Sequence, residues 1–256
     1  SFIYITSGVG ILAVLLGYAS LWLLLAGLLW SKTFQFFGHS IGMHRYFTHR
    51  AFDTNKFWHQ VMCWSSVLLG TGSPISYTRN HRFHHKVVDT PQDLHSPVND
   101  GEFKTFIGWW EFHTTPWFLN KGSVMVRDWI KDPTCKFIDK YFYKIWTALI
   151  VGSFLIDWQF AVYMILFPAF IYHVELNIFV NCVGHTWGYR NYETKDDSVN
   201  VPWIWFISTG GAWHNNHHGD PNNSNFRKRW FEIDMTSWVI DIIFKRHSND
   251  FKNNKI

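Results

Sequence analysis

Apolar residues in this chain are gathered into two blocks. The first, IYITSGVGILAVLLGYASLWLLLAGLLW, belongs to a stretch from residue 1 to 31 without a charged side chain. A membrane helix needs about 20 apolar residues, so the block is long for one span. Gly17-Tyr18-Ala19-Ser20 near its middle predicts a helical hairpin with spans at 2–16 and 21–37. A single tilted helix is the alternative. The second block runs from Tyr141 to Val183 and is broken at Ile156-Asp157-Trp158-Gln159, which predicts spans at 141–156 and 160–183. Pro168 is expected to kink the last span. Glu175 and Asn177 within it are expected to face the bundle or a cavity.

Neither turn carries Lys or Arg; every one of these residues falls within 32–144 or after 189. The positive-inside rule therefore predicts that 38–140 and 184–256 form a cytosolic cap, with both ends of the chain on that side. The apolar segment 55–70, which contains KFWHQVMCWSSVLLG, reads as a cap or interfacial helix. The expected fold is all-α and integral to the membrane, a single domain over 1–256: four transmembrane helices in two hairpins, carrying a large helical cytosolic cap.

Composition changes this picture in one respect. The chain has 256 residues, 47% hydrophobic and 20% aromatic, with a net charge of +4. That charge is too mild for nucleic acid, and no basic stripe is interleaved with the aromatics. Cys63, Cys135 and Cys182 are far apart and form no C-x-x-C, which argues against a disulfide framework or a zinc ribbon. Histidine, at 15 copies, is the outlier.

Its arrangement is not random. HRFHH spans His81 to His85 and HNNHH spans His214 to His218. On a helix, H-x-x-H-H puts three imidazoles on one face, within reach of a metal. His44 and His49 are five residues apart and point about 140° apart on a regular helix. Either the helix ends between them or they serve different metals. His185 follows the fourth span at once. All these groups abut the cytosolic ends of spans or lie in the cap, so the topology gathers them at one membrane face. Nine histidines exceed one ion and suit a di-metal site with four or five imidazoles each. Imidazole suits Zn, Cu, Fe and Ni alike. His59, His173 and His247 read as ordinary hydrogen-bonded residues. A structural zinc site would be closed by four ligands, often including Cys; no Cys except Cys182 lies near the clusters in sequence.

At this point the chain resembles the membrane fatty acyl desaturases of the stearoyl-CoA (Δ9) type, in their bacterial form. GMHRYFTHRAF, NHRFHHK and HNNHH resemble the family's three histidine boxes. TGSPISYTRNHRFHHKVVDTPQDLHSP with Ile107-Gly108-Trp109, NCVGHTWG and GGAWHNNHHGDP extend the likeness over residues 38–220. The resemblance implies a four-span fold and a non-haem di-iron centre that uses O2 and two electrons to leave a cis double bond in an acyl chain. Zinc could replace iron in a recombinant sample. Carried over by position, the iron ligands are His44, His49, His81, His84, His85, His185, His214, His217 and His218. Asn181 would reach iron through a water. Asp93 and His95 match a family motif and would support the ligands from behind. His39 would be a tunnel or supporting group.

Some positions depart from the family pattern. Arg79-Asn80 stands where animal acyl-CoA members carry Arg-Asp against the CoA head. Phe112-His113-Thr114-Thr115 lacks an Arg-Lys pair found there. CoA phosphates want fixed cations, so the resemblance leaves acyl-CoA, acyl carrier protein and membrane acyl lipid open as carriers. Lys104, Lys121 and Arg127 remain as other sources of charge. Thr71, Tyr77 and Asn177 stand where the family's bend-shaping Gln, Trp and Thr would be. No His-Pro-Gly-Gly haem motif is present, so a separate electron donor, ferredoxin or cytochrome b5 with its reductase, is implied. A hydroxylase or acetylenase on the same site is the neighbouring alternative. A non-catalytic membrane metal carrier would need its ligands at the membrane midplane.

Overall fold

The computed structural model describes residues 2–93, 96–101 and 122–246. Among the described residues its regular elements are helices, with one two-residue antiparallel pairing, β1 (Phe52–Asp53) with β2 (Lys245–Arg246), and isolated bridges of Asn200 to Tyr189 and Trp213. Helix α1 (Phe2–Leu15) turns at Gly17, whose φ of 78° a larger residue rarely adopts, into α2, which begins at Leu21. The hairpin expected at 2–37 is present, but its second arm does not stop at 37. After an α-helical portion, Leu21–Phe34, α2 continues as a π-helix over Gln35–Thr48.

Next come α3 (Lys56–Val67), α4 (Pro74–Val87) and the single turn α5 (Pro97–Asp100). Helix α6 (Pro133–Ile156) starts eight residues before the expected 141. Helix α7 (Trp158–His185) follows after one residue and contains π segments at Ala161–Leu166 and Glu175–Cys182. The first π segment ends just before Pro168, where the ladder must adjust to a missing N–H. Two short helices, α8 (His214–Gly219) and α9 (Met235–Ile243), close the chain.

The helix starts follow local chemistry. Ser20, Asn55, Ser73, Asp132 and Asp157 each accept a hydrogen bond from a backbone N–H of the helix they open. Pro74 and Pro133 stand at first-turn positions, where no N–H is needed.

Packing brings α1 and α2 onto α7 and α3 onto the π part of α2. Gly27 and Ser31, four apart on α2, face α7. A Cβ at Gly27 would collide with the Tyr163 carbonyl, and Ser31 Oγ donates to the Pro168 carbonyl at 2.8 Å. Small residues at this spacing let helix backbones approach closely. One core, around Ile41, Phe47, Met62, Cys135, Ile138 and Ile240, fills the space between the π-helix, α3, α6 and α9. A second, around Val201, Ile204, Ala212, Trp213 and Phe226, supports α8.

Among the described residues, α7 is the helix long and apolar enough to cross a membrane; α1 is apolar but has only 14 residues. The expected four-span arrangement is therefore not established by helix length and composition. Large apolar side chains lie exposed at both hairpin tips, among them Leu15, Tyr18, Trp22, Leu155 and Ile156. Within segment 55–70, Lys56–Val67 forms the expected helix, α3, with Met62, Cys63 and Val67 buried.

Candidate metal centre

Four helices bring nine imidazoles together. The π part of α2 supplies His44 and His49, α4 supplies His81, His84 and His85, the end of α7 supplies His185, and α8 supplies His214, His217 and His218. They form two groups. One holds His44, His49, His81, His85 and His217; the other holds His84, His185, His214 and His218. Within each, the ligand atoms lie within 4.8 Å of one another.

Of the two arrangements expected for His44 and His49, a helix end between them is found and service of different groups is not. A π-helix bonds i to i+5, so residues five apart sit about one turn apart. The two imidazoles therefore share a face and a group, with ring centroids 5.0 Å apart. The helix ends between them, at Thr48, with His49 as its C-cap bonded through its N–H to the His44 carbonyl at 3.2 Å, and both rings join the same group. A second refinement concerns the H-x-x-H-H helices. Their three histidines do not serve one centre. Helix α4 gives its first and last to the five-membered group and its middle one to the other. Helix α8 does the reverse: His217 goes to the first group, and His214 and His218 to the second. The two helices thus straddle both groups in opposite sense.

The nitrogens facing inward are Nε2. His217 Nε2 lies 3.0 Å from His44 Nε2 and 2.9 Å from His85 Nε2, His81 and His85 are 3.2 Å apart at Nε2, and His185 and His214 are 2.9 Å apart. Two ligands at right angles on an ion about 2.1 Å away would stand about 3.0 Å apart. Buried His49 Nε2 and His218 Nε2 have no hydrogen-bond partner among the described residues. Their lone pairs want a cation.

Behind the second group stand three carboxylates. His84 Nδ1 lies 2.9 Å from Asp93, His185 Nδ1 3.1 Å from Asp89, and His218 Nδ1 3.2 Å from Asp196. An imidazole whose Nδ1–H donates to a carboxylate presents Nε2 as a stronger donor to metal. The carboxylates are themselves held. Asp93 accepts from the Asp89 N–H at 2.9 Å, and Asp89 accepts from the Asp197 N–H at 2.9 Å and from Ser96 Oγ. Burial works to raise the Asp89 pKa, but the hydrogen bonds from His185, Ser96 and Asp197 outweigh it and keep Asp89 ionised well below the usual carboxylate range.

Burial, and after it the proximity of other imidazoles, pushes His44, His81, His85, His214, His217 and His218 well below the ordinary histidine pKa. His49 falls to about 3 through burial and the nearby Arg82. These rings are therefore neutral near pH 7, the form that binds metal. Imidazole-only donor sets of this size, with carboxylates behind one of them, fit two transition-metal ions.

The remaining expected residues are placed as follows. Asn181 lies one helical turn before His185, half-buried on α7. Tyr77 stacks on His81 with ring centroids 5.4 Å apart, and its hydroxyl is 2.8 Å from His39 Nε2. His39 in turn stacks on His44. Tyr77 also packs against the small cluster of Met43, Leu69 and Tyr172, and Thr71 lies beside the Tyr172 hydroxyl. Asn177 is half-buried on α7. The Arg79 stem lies against Gly122, and Asn80 carries a buried amide oxygen without a hydrogen-bond partner among the described residues. His95, the Ile107–Trp109 and Phe112–Thr115 motifs, Lys104, Lys121 and His247 lie outside the described residues.

Residue-by-residue reading missed Asp89, Asp196 and the support beneath α8. The Asn216 carboxamide is fully used, accepting from Asn191 and Asn200 and donating to Phe226 O and Glu232. Asn215 accepts from the N–H groups of Asn191 and Tyr192. The HNNHH asparagines thus anchor the helix that presents the histidines. Beside them, Arg45 is fully buried, paired with Asp234 at 2.8 Å, and sits 3.9 Å over the Phe226 ring. The one available signal was a polar pair inside a helix that must otherwise be buried.

A family model described as fatty acid desaturase matches residues 19–248. The chain is 32% identical over 210 residues to the sn-1 stearoyl-lipid 9-desaturase of Anabaena variabilis, covering 80% of this chain and 75% of that protein. It is 30% identical over 216 residues to the Hex-5-enoyl-(acyl-carrier protein) acetylenase of Moorena producens, covering 77% and 67%. It is 30% identical over 213 residues to the Acyl-CoA C20 Delta5-desaturase of Anemone leveillei, covering 81% and 66%.

Proposed function

The chain belongs to the fatty acid desaturase family, whose members are oxidoreductases, and we propose that it is an O2-dependent desaturase placing a cis double bond, at Δ9, in a long-chain acyl group. The observation that carries this is the convergence of nine imidazoles in groups of five and four. Two iron ions held there would supply the redox chemistry with O2 that breaking an unactivated C–H bond requires, which no side-chain acid or base can supply.

The chain's own contribution is positional. His44, His49, His81, His85 and His217 would hold one ion, and His84, His185, His214 and His218 the other, with Asn181 acting through a water. Asp89, Asp93 and Asp196 hold three of these rings by Nδ1. Tyr77, Thr71 and Asn177 would shape the path of the acyl chain, keeping one methylene near the metals and water away from it. The contact of Tyr77 with His81 and His39 supports that placement.

The exposed apolar tips of both hairpins support four spans in two hairpins, with the metal centre in a cap at the cytosolic face. Arg79 and Asn80 would meet the head group. The three relatives named above act on a lipid, an acyl carrier protein and a CoA substrate, so the carrier divides the family. The Anabaena relative favours a glycerolipid here. Electrons would come from a separate ferredoxin or cytochrome b5. The acetylenase relative supports a second reading, removal of hydrogen from an existing double bond.

The test is the fatty-acid profile of cells expressing the chain, read by mass spectrometry. A new acyl species lighter by two hydrogens, unsaturated at C9, is expected. A gain of one oxygen would mean hydroxylation, and loss of hydrogen from an alkene would mean acetylenase activity. An unchanged profile from metal-loaded protein supplied with an electron donor would overturn desaturation.

A further inference from the structure

Apart from the nine-histidine centre, a second kind of metal-ligating cluster lies in the cap. His59 and Cys63, four apart on α3, meet Cys135, in the first turn of α6. Both cysteines are fully buried. Cys63 Sγ lies 3.7 Å from Cys135 Sγ and 3.5 Å from His59 Nε2, and Asp132 Oδ2 lies 3.3 Å from the same nitrogen. We propose that His59, Cys63 and Cys135 form a three-residue zinc site that ties α3 to the head of α6, the Asp132 carboxylate beside His59 being the nearest group to complete the tetrahedron when the ion binds.

The distances carry the argument. Two thiolates bound at about 2.3 Å in tetrahedral geometry stand about 3.8 Å apart, and a thiolate and an imidazole about 3.6 Å apart. The sulfurs are too far apart for a disulfide, whose S–S bond is about 2.05 Å. Hydrogen bonding does not explain the convergence either. His59 Nε2 has at most one proton, yet Cys63, Cys135 and Asp132 all lie around it.

The other ring nitrogen is also provided for. His59 Nδ1 is 3.2 Å from the Tyr46 hydroxyl, which can accept its N–H as the partner behind a metal-ligating imidazole usually does. Asp132 is fixed as well, since its Oδ1 accepts from the Cys135 N–H at 2.8 Å. On binding, each thiol releases its proton to solvent and forms one metal–sulfur bond. Through Tyr46 the site would brace the stretch of π-helix between His44 and His49.

The proposal does not depend on the desaturase reading, because its readout is sulfur ligation and not turnover. Full-length protein in detergent is stripped with a chelator and loaded with Co(II) as the probe. A sulfur-to-cobalt charge-transfer band in the near ultraviolet is expected, which an all-imidazole centre cannot produce. The band should persist in His217→Ala and vanish in Cys63→Ser/Cys135→Ser, with loss of one bound metal equivalent. If the double variant does not fold, protection of Cys63 and Cys135 from alkylation by zinc in the wild-type protein, reversed by chelation, takes its place. Absence of the band in the wild type, its survival in the double variant, or a Cys63–Cys135 disulfide by intact mass would overturn the proposal.

Discussion

His217 occupies the junction of the larger histidine group, with its Nε2 near those of both His44 and His85 and its ring 4.6 Å from Phe226. Its loss removes a donor that no neighbour can replace. His217→Ala should abolish lipid desaturation, a fall of at least about 100-fold, measured as product per cell at matched expression. Asp196 acts one step further out, through His218 Nδ1. Asp196→Asn should lower metal affinity by about 10- to 100-fold, read by chelator competition, with little change in helix content. The clustered histidines were legible because H-x-x-H-H is a short pattern repeated far apart. Asp89 was not, since it meets His185 across 96 positions. Neither was the meeting of Cys63 with Cys135, 72 positions apart.

At the scale of elements, the π-helical continuation of α2 governs the first histidine pair. It lies tightly against α3, where Gly38 faces the Ser65 backbone; a Cβ there would stand 2.7 Å from the Ser65 carbonyl carbon. Backbone cannot yield as a flexible side chain can. Gly38→Ala should therefore cost about 1–3 kcal/mol of stability and loosen the placement of His44, seen as a lower melting temperature together with a reduced metal content. The spans' helix positions followed from the apolar blocks, and both hairpin turns fell where Gly17 and Asp157 stand. The π-helix was not legible: spacing rules assume 3.6 residues per turn, and the π segment that packs on α3 departs from them.

The whole molecule gathers buried neutral histidines whose protonation is opposed by burial and by one another, and this makes its metal-free stability depend on pH. In the unfolded chain each histidine titrates near its ordinary 6.5, whereas in the folded protein His49 does so at about 3 and His44, His81, His85, His214, His217 and His218 well below 6.5. Below 6.5 the unfolded state binds more protons, so stability must fall as pH falls, by up to about 1.4 kcal/mol per pH unit for each such group. Chelator-treated protein should melt progressively lower from pH 7 to pH 5. Metal-loaded protein should lose its ions across the same range as protons compete for Nε2. A melting temperature independent of pH in that window would contradict the buried, neutral state of the cluster.

What the chain determined by itself is local: where helices begin and turn, which stretches are apolar, and which side chains can bind metal. These follow from side-chain chemistry and from spacing within a few residues. The division of nine imidazoles into five and four was decided by the tertiary structure, as were the crossed service of α4 and α8 to both groups and the carboxylates behind the rings. The reason is physical: a metal site is a meeting of lone pairs within a few ångströms, and that distance depends on how helices cross and how tightly their backbones approach.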